Sequence, residues 1–244
     1  MKRRTFLKST ATLGLGLAVF PQIAFQDAPT SLPYNELIGK GHPELFGNGF
    51  KLRKEAYDAF LLMSKEALKS DIKLKVVSSY RSFAHQNRIW ERKYKQNINN
   101  GLSPQDSLNK IIEYSTIPGT SRHHWATDLD LIDAHVAQPR NVLNPKHFDG
   151  SGCFSKFKSW MDTHANTFGF YLVYTNKKDR KGFKYEPWHY SYKPLSLGYL
   201  QAYQKLDLRD IIISEQLIGC DHFSEAFITN YGNQNILDIN PELL

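Results

Sequence analysis

Cysteine is nearly absent from this chain: only Cys153 and Cys220 occur among 244 residues. They lack the close spacing of a zinc ribbon or a redox pair. That leaves one long-range disulfide in an oxidising compartment, or two free buried thiols. No apolar run reaches the ~20 residues that a membrane-spanning helix needs. No glycine-rich phosphate loop is present, so nothing suggests a nucleotide site, and the lack of a His-Glu-x-x-His helix excludes a thermolysin-like zinc centre. Internal repeats and low-complexity tracts are also missing. With 41% hydrophobic and 23% charged residues, the chain can still bury a core, so it reads as globular.

The first residues are read apart from that core. Met1–Lys8 carries Lys2, Arg3, Arg4 and Lys8 with no acid, and a short apolar stretch follows. A basic region before a short apolar region is the pattern of an export signal. The paired arginines before Thr5-Phe6-Leu7-Lys8 resemble a twin-arginine signal. Residues 1–26 are therefore expected to be an export signal, with no clean A-x-A cleavage site. Residues 27–48, rich in Pro, Gly and polar side chains, are expected to form an extended arm. Residues 49–205 are expected to form the working domain, and 206–244 a C-terminal extension packed on it. Removing residues 1–26, with four cations and no acid, takes the formal charge from +7 to about +3. That mild excess, without a recognisable binding module, argues against nucleic acid as a partner. The product is expected to be periplasmic or wall-associated and monomeric, without stable membrane insertion.

Helical spacing predicts helices over Leu52–Ser70, Phe83–Asn99, Ser103–Tyr114, Cys153–Phe168 and Pro194–Tyr203. Alternating or β-branched runs predict strands over Ile72–Ser78, Thr127–Ile132, Phe170–Thr175 and Trp188–Tyr192. The tail from Asp207 has no firm pattern. Strands interrupted by helices of unequal length, without a βαβ rhythm, give an α+β fold: one domain with a central antiparallel sheet flanked by helices.

Three segments carry chemistry: Ser78–Gln86, Pro118–Asp130 and Glu186-Pro187-Trp188-His189. A catalytic zinc commonly has three protein ligands and one open position. Here the ligands must come from separate segments. His123 precedes a strand carrying Asp128 and Asp130, and His189 begins another strand, so neighbouring strands can bring these groups together.

Ser121-x-His123 followed by Asp130, and later Glu186-x-Trp188-His189, resemble the two signatures of the LAS metallopeptidases, which include D-Ala-D-Ala carboxypeptidases of the VanY type. Tyr80-Arg81-Ser82-x-x-x-Gln86 is similar to a further VanY-type motif. The resemblance runs from about residue 50 to 195 and implies a hedgehog or D-Ala-D-Ala peptidase-like fold. It implies His123, Asp130 and His189 as ligands of Zn2+, and Glu186 as general base. Arg81 is expected to supply positive charge to the oxyanion or to a terminal carboxylate. Gln86, Ser121 and Tyr80 are expected to bind substrate, and Trp188 to wall the site. The implied activity is a D,D-carboxypeptidase acting on peptidoglycan stem peptides, with an L,D-carboxypeptidase, an endopeptidase or a non-catalytic wall-binding module as alternatives. The presence of Glu186 speaks against the last.

The chain departs from the S-x-H-x-x-G-x-A-x-D pattern at two places: Ala126 replaces the glycine and Asp128 the alanine. Strand alternation puts Asp128 on the face of Asp130. Asp128 is then either a group that orients a ligand histidine or itself the ligand; Asp130 is favoured as the ligand. His124 is expected to point away from the metal on an extended backbone.

Overall fold

The computed structural model describes residues 32–244, so the export-signal expectation lies outside the described residues. The arm contains a short helix, α1 (Tyr34–Leu37), and an isolated bridge between Phe46 and Leu52. Then follow α2 (Lys54–Lys69), β1 (Leu74–Ser78), α3 (Phe83–Asn99), α4 (Pro104–Ile111), β2 (Asp128–Asp133), α5 (Ser155–His164), β3 (Phe170–Leu172), β4 (His189–Tyr192) and α6 (Lys193–Tyr203). The tail that lacked a pattern folds as α7 (Leu208–Ser214), α8 (Glu225–Tyr231) and short turns of helix. Its apolar residues are spent in brief segments between Gly and Asn, too short for a periodic signal.

Local chemistry explains the helix starts. The side chain of Ser82 accepts from the His85 N–H at the head of α3, and Ser103 does the same for Asp106 ahead of Pro104 in α4. Each cap satisfies an otherwise orphaned donor.

The four strands form one antiparallel sheet in the order β1-β2-β4-β3. All six residues of β2 are buried, because both faces of the strand are covered. Leu129 and Leu131 face a core with Phe60 and Met63 of α2 and Phe157 and Trp160 of α5. Burying side chains of this size contributes roughly 1.5–3 kcal/mol each. Asp128 and Asp130 face the other way. The β2–β4 register sets Asp130 opposite His189 and Asp128 opposite Ser191. On β1 an irregularity between Val76 and Ser78 accompanies the pairing of Ser78 with Asp130. A bulge of this kind re-aims the chain beside a site.

A second core joins Trp90 of α3, Leu108 of α4, Tyr199 and Tyr203 of α6, Ile211 of α7 and Tyr231 of α8. The C-terminal segment also braces the chain leading to Glu186. Arg180 Nη2 donates to the Asp238 carbonyl at 2.8 Å, and Asp238 Oδ2 accepts from the Lys181 and Gly182 N–H groups at 2.6 and 3.0 Å. Cys153 and Cys220 are both free, the first exposed and the second half-buried, so the fold contains neither a disulfide nor a pair of buried thiols. Among the described residues no helix is long and apolar enough to cross a membrane.

Candidate active site

The segment between Ser121 and β2 is a tight 3-10 turn, Arg122–Trp125, capped by Ser121 Oγ accepting from the His123 N–H. It ends at Ala126, whose φ of 59° is left-handed. This is the position where the family pattern has glycine. An L-residue with a Cβ pays a steric penalty there that glycine does not. Ala126→Gly is therefore expected to stabilise the protein by about 0.5–1 kcal/mol, after the larger unfolded-state entropy of glycine is subtracted. Urea denaturation reads this directly; a loss of stability would mean that the buried Cβ packs more favourably than the strain costs.

The turn also decides the two adjacent histidines. His123 Nδ1 lies 2.8 Å from the Ser79 carbonyl; a carbonyl only accepts, so Nδ1 carries the hydrogen and Nε2 keeps its lone pair. Burial, reinforced by the Arg81 cation, pushes the His123 pKa down to about 4, which keeps the ring neutral. His124 points away, as expected, but not because the backbone is extended: the 3-10 geometry turns it inward. Its Nδ1 donates to the Arg81 carbonyl at 2.6 Å, and its Nε2 accepts from the Gly119 N–H at 3.2 Å. Gly39, at φ +80°, lies against that ring, where a Cβ would collide.

One oxygen of Asp130 and His123 Nε2 face each other at 3.6 Å, and neither has a hydrogen-bond partner. Two orphaned buried acceptor-type atoms at that spacing are costly unless something positive lies between them. His189 completes the group: one ligand atom from each of His123, Asp130 and His189 lies within 4.8 Å of the others. The set of two imidazoles and one carboxylate, all buried, suits zinc. His189 uses both ring nitrogens, with Nε2 at 3.0 Å from Asp128 and Nδ1 at 3.0 Å from Glu186. Burial disfavours its charged form, but those two carboxylates outweigh burial and hold its pKa at about 9. Tyr174 packs edge-on against this ring.

Glu186 precedes β4 and is held to His189 by a turn in which the His189 N–H donates to the Glu186 carbonyl at 3.1 Å. Its carboxyl is buried and opens on a cavity of about 600 Å3. Burial pushes its pKa up, partly offset by His189 and Arg81. The same cavity is lined by Arg81, Ser121, His123, Asp130, Trp188 and His189. Arg81 Nε is buried without a partner, while its Nη1 donates to Gln86 Oε1 at 2.7 Å. Desolvation lowers the Arg81 pKa, against the pull of Asp130 and Glu186.

Two expected substrate contacts are placed elsewhere. Gln86 is fully buried behind Arg81, accepting from it and donating to the Thr116 carbonyl at 2.8 Å, so its amide is occupied. Tyr80 is half-buried outside the cavity wall. Trp188 is both wall and core, packed on Phe148 at 5.6 Å between ring centres. The cavity wall also takes in Arg92 and Lys93 of α3, which the motifs do not include, beside His85 of the Ser78–Gln86 segment. Their spacing along one face of α3 was the available signal.

A family model described as VanY: D-alanyl-D-alanine carboxypeptidase matches residues 49–195. A putative carboxypeptidase, YodJ, of Bacillus subtilis is 30% identical over 142 residues, 58% of this chain and 46% of that protein, so the chain spans under half of that relative's length. VanYB solved in complex with D-alanine-D-alanine superposes with a TM-score of 0.52 at 20% identity, covering 68% of this chain and 85% of VanYB. A vancomycin-resistance D,D-pentapeptidase VanY variant solved with Zn(II) gives a TM-score of 0.50 at 21% identity, over 67% of this chain and 85% of that one. The shared sheet and the ordered motifs lie within the matched segment. The chain belongs to the VanY family of D-alanyl-D-alanine carboxypeptidases, which are zinc metallopeptidases.

Proposed function

We propose that this protein is a zinc-dependent D,D-carboxypeptidase that removes the terminal D-alanine from peptidoglycan stem peptides. The observation that carries the reading is the single cavity wall on which the His123–Asp130–His189 group, the Glu186 carboxylate and the Arg81 guanidinium converge. His123, Asp130 and His189 would hold a zinc ion, which would supply a Lewis acid and lower the pKa of a bound water. Glu186, buried beside the ligands without being one of them, takes the proton from the attacking water and returns it to the leaving amine. Its raised pKa suits a group that must hold that proton between the two steps.

A terminal-carboxylate role for Arg81 favours an exo-acting enzyme over an endopeptidase. Its unpartnered Nε offers a donor to a terminal carboxylate or to the oxyanion. Gln86 holds the guanidinium from behind. Arg92 and Lys93 add positive charge to the same wall, with no acid there beyond Asp130 and Glu186 among the described residues. An anionic chain end is favoured by such a wall. Ser121 caps the ligand-bearing turn and reaches the cavity, where it serves as a hydrogen-bonding contact for the peptide. Export to the periplasm or wall, through residues 1–26, would bring the enzyme to this substrate.

The test is digestion of purified wall peptides with and without a chelator, read by mass spectrometry. Chelator-sensitive loss of one terminal alanine is the expected result. An internal cut would keep the zinc chemistry and reassign the enzyme as an endopeptidase. No cleavage by the zinc-loaded protein would favour a wall-binding module.

A further inference from the structure

We propose that Asp128 is a positioning residue that holds His189 with Nε2 protonated, which leaves Nδ1, 3.0 Å from Glu186, as the nitrogen available to a metal. The inference rests on the zinc-site reading above but not on the choice of substrate. In the family pattern an alanine stands at this position, and it could make none of the bonds described here.

Asp128 is fully buried on β2, and each of its oxygens receives two contacts. Oδ1 accepts from Ser191 Oγ at 2.6 Å and from Thr127 Oγ1 at 2.8 Å. Oδ2 accepts from Arg122 Nε at 2.9 Å and lies 3.0 Å from His189 Nε2. An ionised carboxylate has about four acceptor sites and no donor. All four are taken, which leaves no lone pair for a metal and requires His189 Nε2 to carry its hydrogen.

Arg122 makes this arrangement one-way. Its Nη2 donates to Ser191 Oγ at 2.7 Å, so that hydroxyl must spend its own hydrogen on Asp128. The guanidinium also lies over the Trp125 ring, 4.8 Å from its centre, inside the turn that carries His123. The network thus ties the turn bearing one ligand to β2 bearing the second and β4 bearing the third. A carboxylate behind a ligand histidine fixes its tautomer and orientation, and losing such a partner typically weakens metal binding by about 10–100-fold.

The experiment measures zinc affinity of the purified protein by competition with a chromophoric chelator, with no substrate present. A protein that cleaves no D-alanyl peptide can therefore still pass or fail it. Asp128→Asn is expected to bind zinc about 10–100-fold more weakly, and Ser191→Ala, which removes one of the four donors, by a smaller factor. Unchanged affinity in Asp128→Asn would overturn the proposal. So would a loss as large as that caused by removing Asp130, since Asp128 would then be a ligand. Should Asp128→Asn fail to fold, nitrogen-15 NMR of the imidazoles in the zinc-loaded wild type decides the matter. The expected spectrum has His189 Nε2 protonated and Nδ1 bearing the metal; the reverse assignment overturns the proposal.

Discussion

Glu186→Gln is expected to keep its zinc and lose about 10²–10⁴-fold in kcat, with little change in KM. The substitution preserves the shape of the side chain and its place beside His189 while removing the ability to accept a proton. Glu186 is not among the three residues whose ligand atoms cluster, so zinc content is expected to stay at the wild-type level. Removing a group that acts only as the proton moves lowers kcat rather than substrate affinity. The contact of Glu186 Oε2 with His189 Nδ1, at 3.0 Å, raises the alternative that the carboxylate mainly steadies the imidazole. In that case the glutamine variant, whose amide oxygen can keep that contact, would retain most of its turnover. Metal analysis and steady-state kinetics on the same preparation separate the two. Near-normal kcat would remove Glu186 from the role of base.

The sequence is informative about this site where side-chain chemistry and strand periodicity act together. Asp128, Asp130 and His189 are legible because alternation along two short strands puts their side chains on one face, and the register then sets Asp130 opposite His189. The predicted helix over Phe83–Asn99 coincides with α3, since Ser82 is a cap that the sequence displays openly. Other parts of the site are written in the backbone and are silent in residue types. The Ser79 carbonyl that sets the His123 tautomer is one such group, because any residue could supply it. The 3-10 turn is another: four residues are too few for a helical period, and the left-handed conformation of Ala126 is hidden by a residue that does not usually adopt it. Gln86 reads as a substrate contact in the motif because spacing alone cannot tell a side chain that faces the cavity from one that supports Arg81 from behind. The C-terminal brace at Asp238 pairs with Arg180 across 58 residues, a distance at which sequence spacing carries no information.

Asp130→Ala and Asp128→Ala are expected to fail in opposite ways. Asp130 contributes an oxygen that has no hydrogen-bond partner and faces a ligand nitrogen. Its removal takes away one of the three proposed ligands, so zinc affinity is expected to fall well beyond the about 10–100-fold cost of losing an outer partner. The chelator-treated protein loses no hydrogen bond but does lose the attraction of Asp130 for the buried Arg81 guanidinium, so its resistance to urea is expected to fall less than that of Asp128→Ala. Asp128 is the reverse case. Its removal leaves Arg122, buried at 5% exposure, without its carboxylate. Breaking a buried ion pair from one side costs about 3–5 kcal/mol, so the chelator-treated Asp128→Ala protein is expected to denature at markedly lower urea. Whatever folded protein remains is expected to hold zinc more tightly than Asp130→Ala does, and to retain more activity. Urea midpoints in chelator, zinc affinities and turnover, measured across the two variants, therefore form a crossed pattern. If Asp128→Ala proves the worse zinc binder and Asp130→Ala the less stable fold, the ligand and its supporting carboxylate have been assigned the wrong way round. The four donors already occupying Asp128 are the physical reason to expect otherwise.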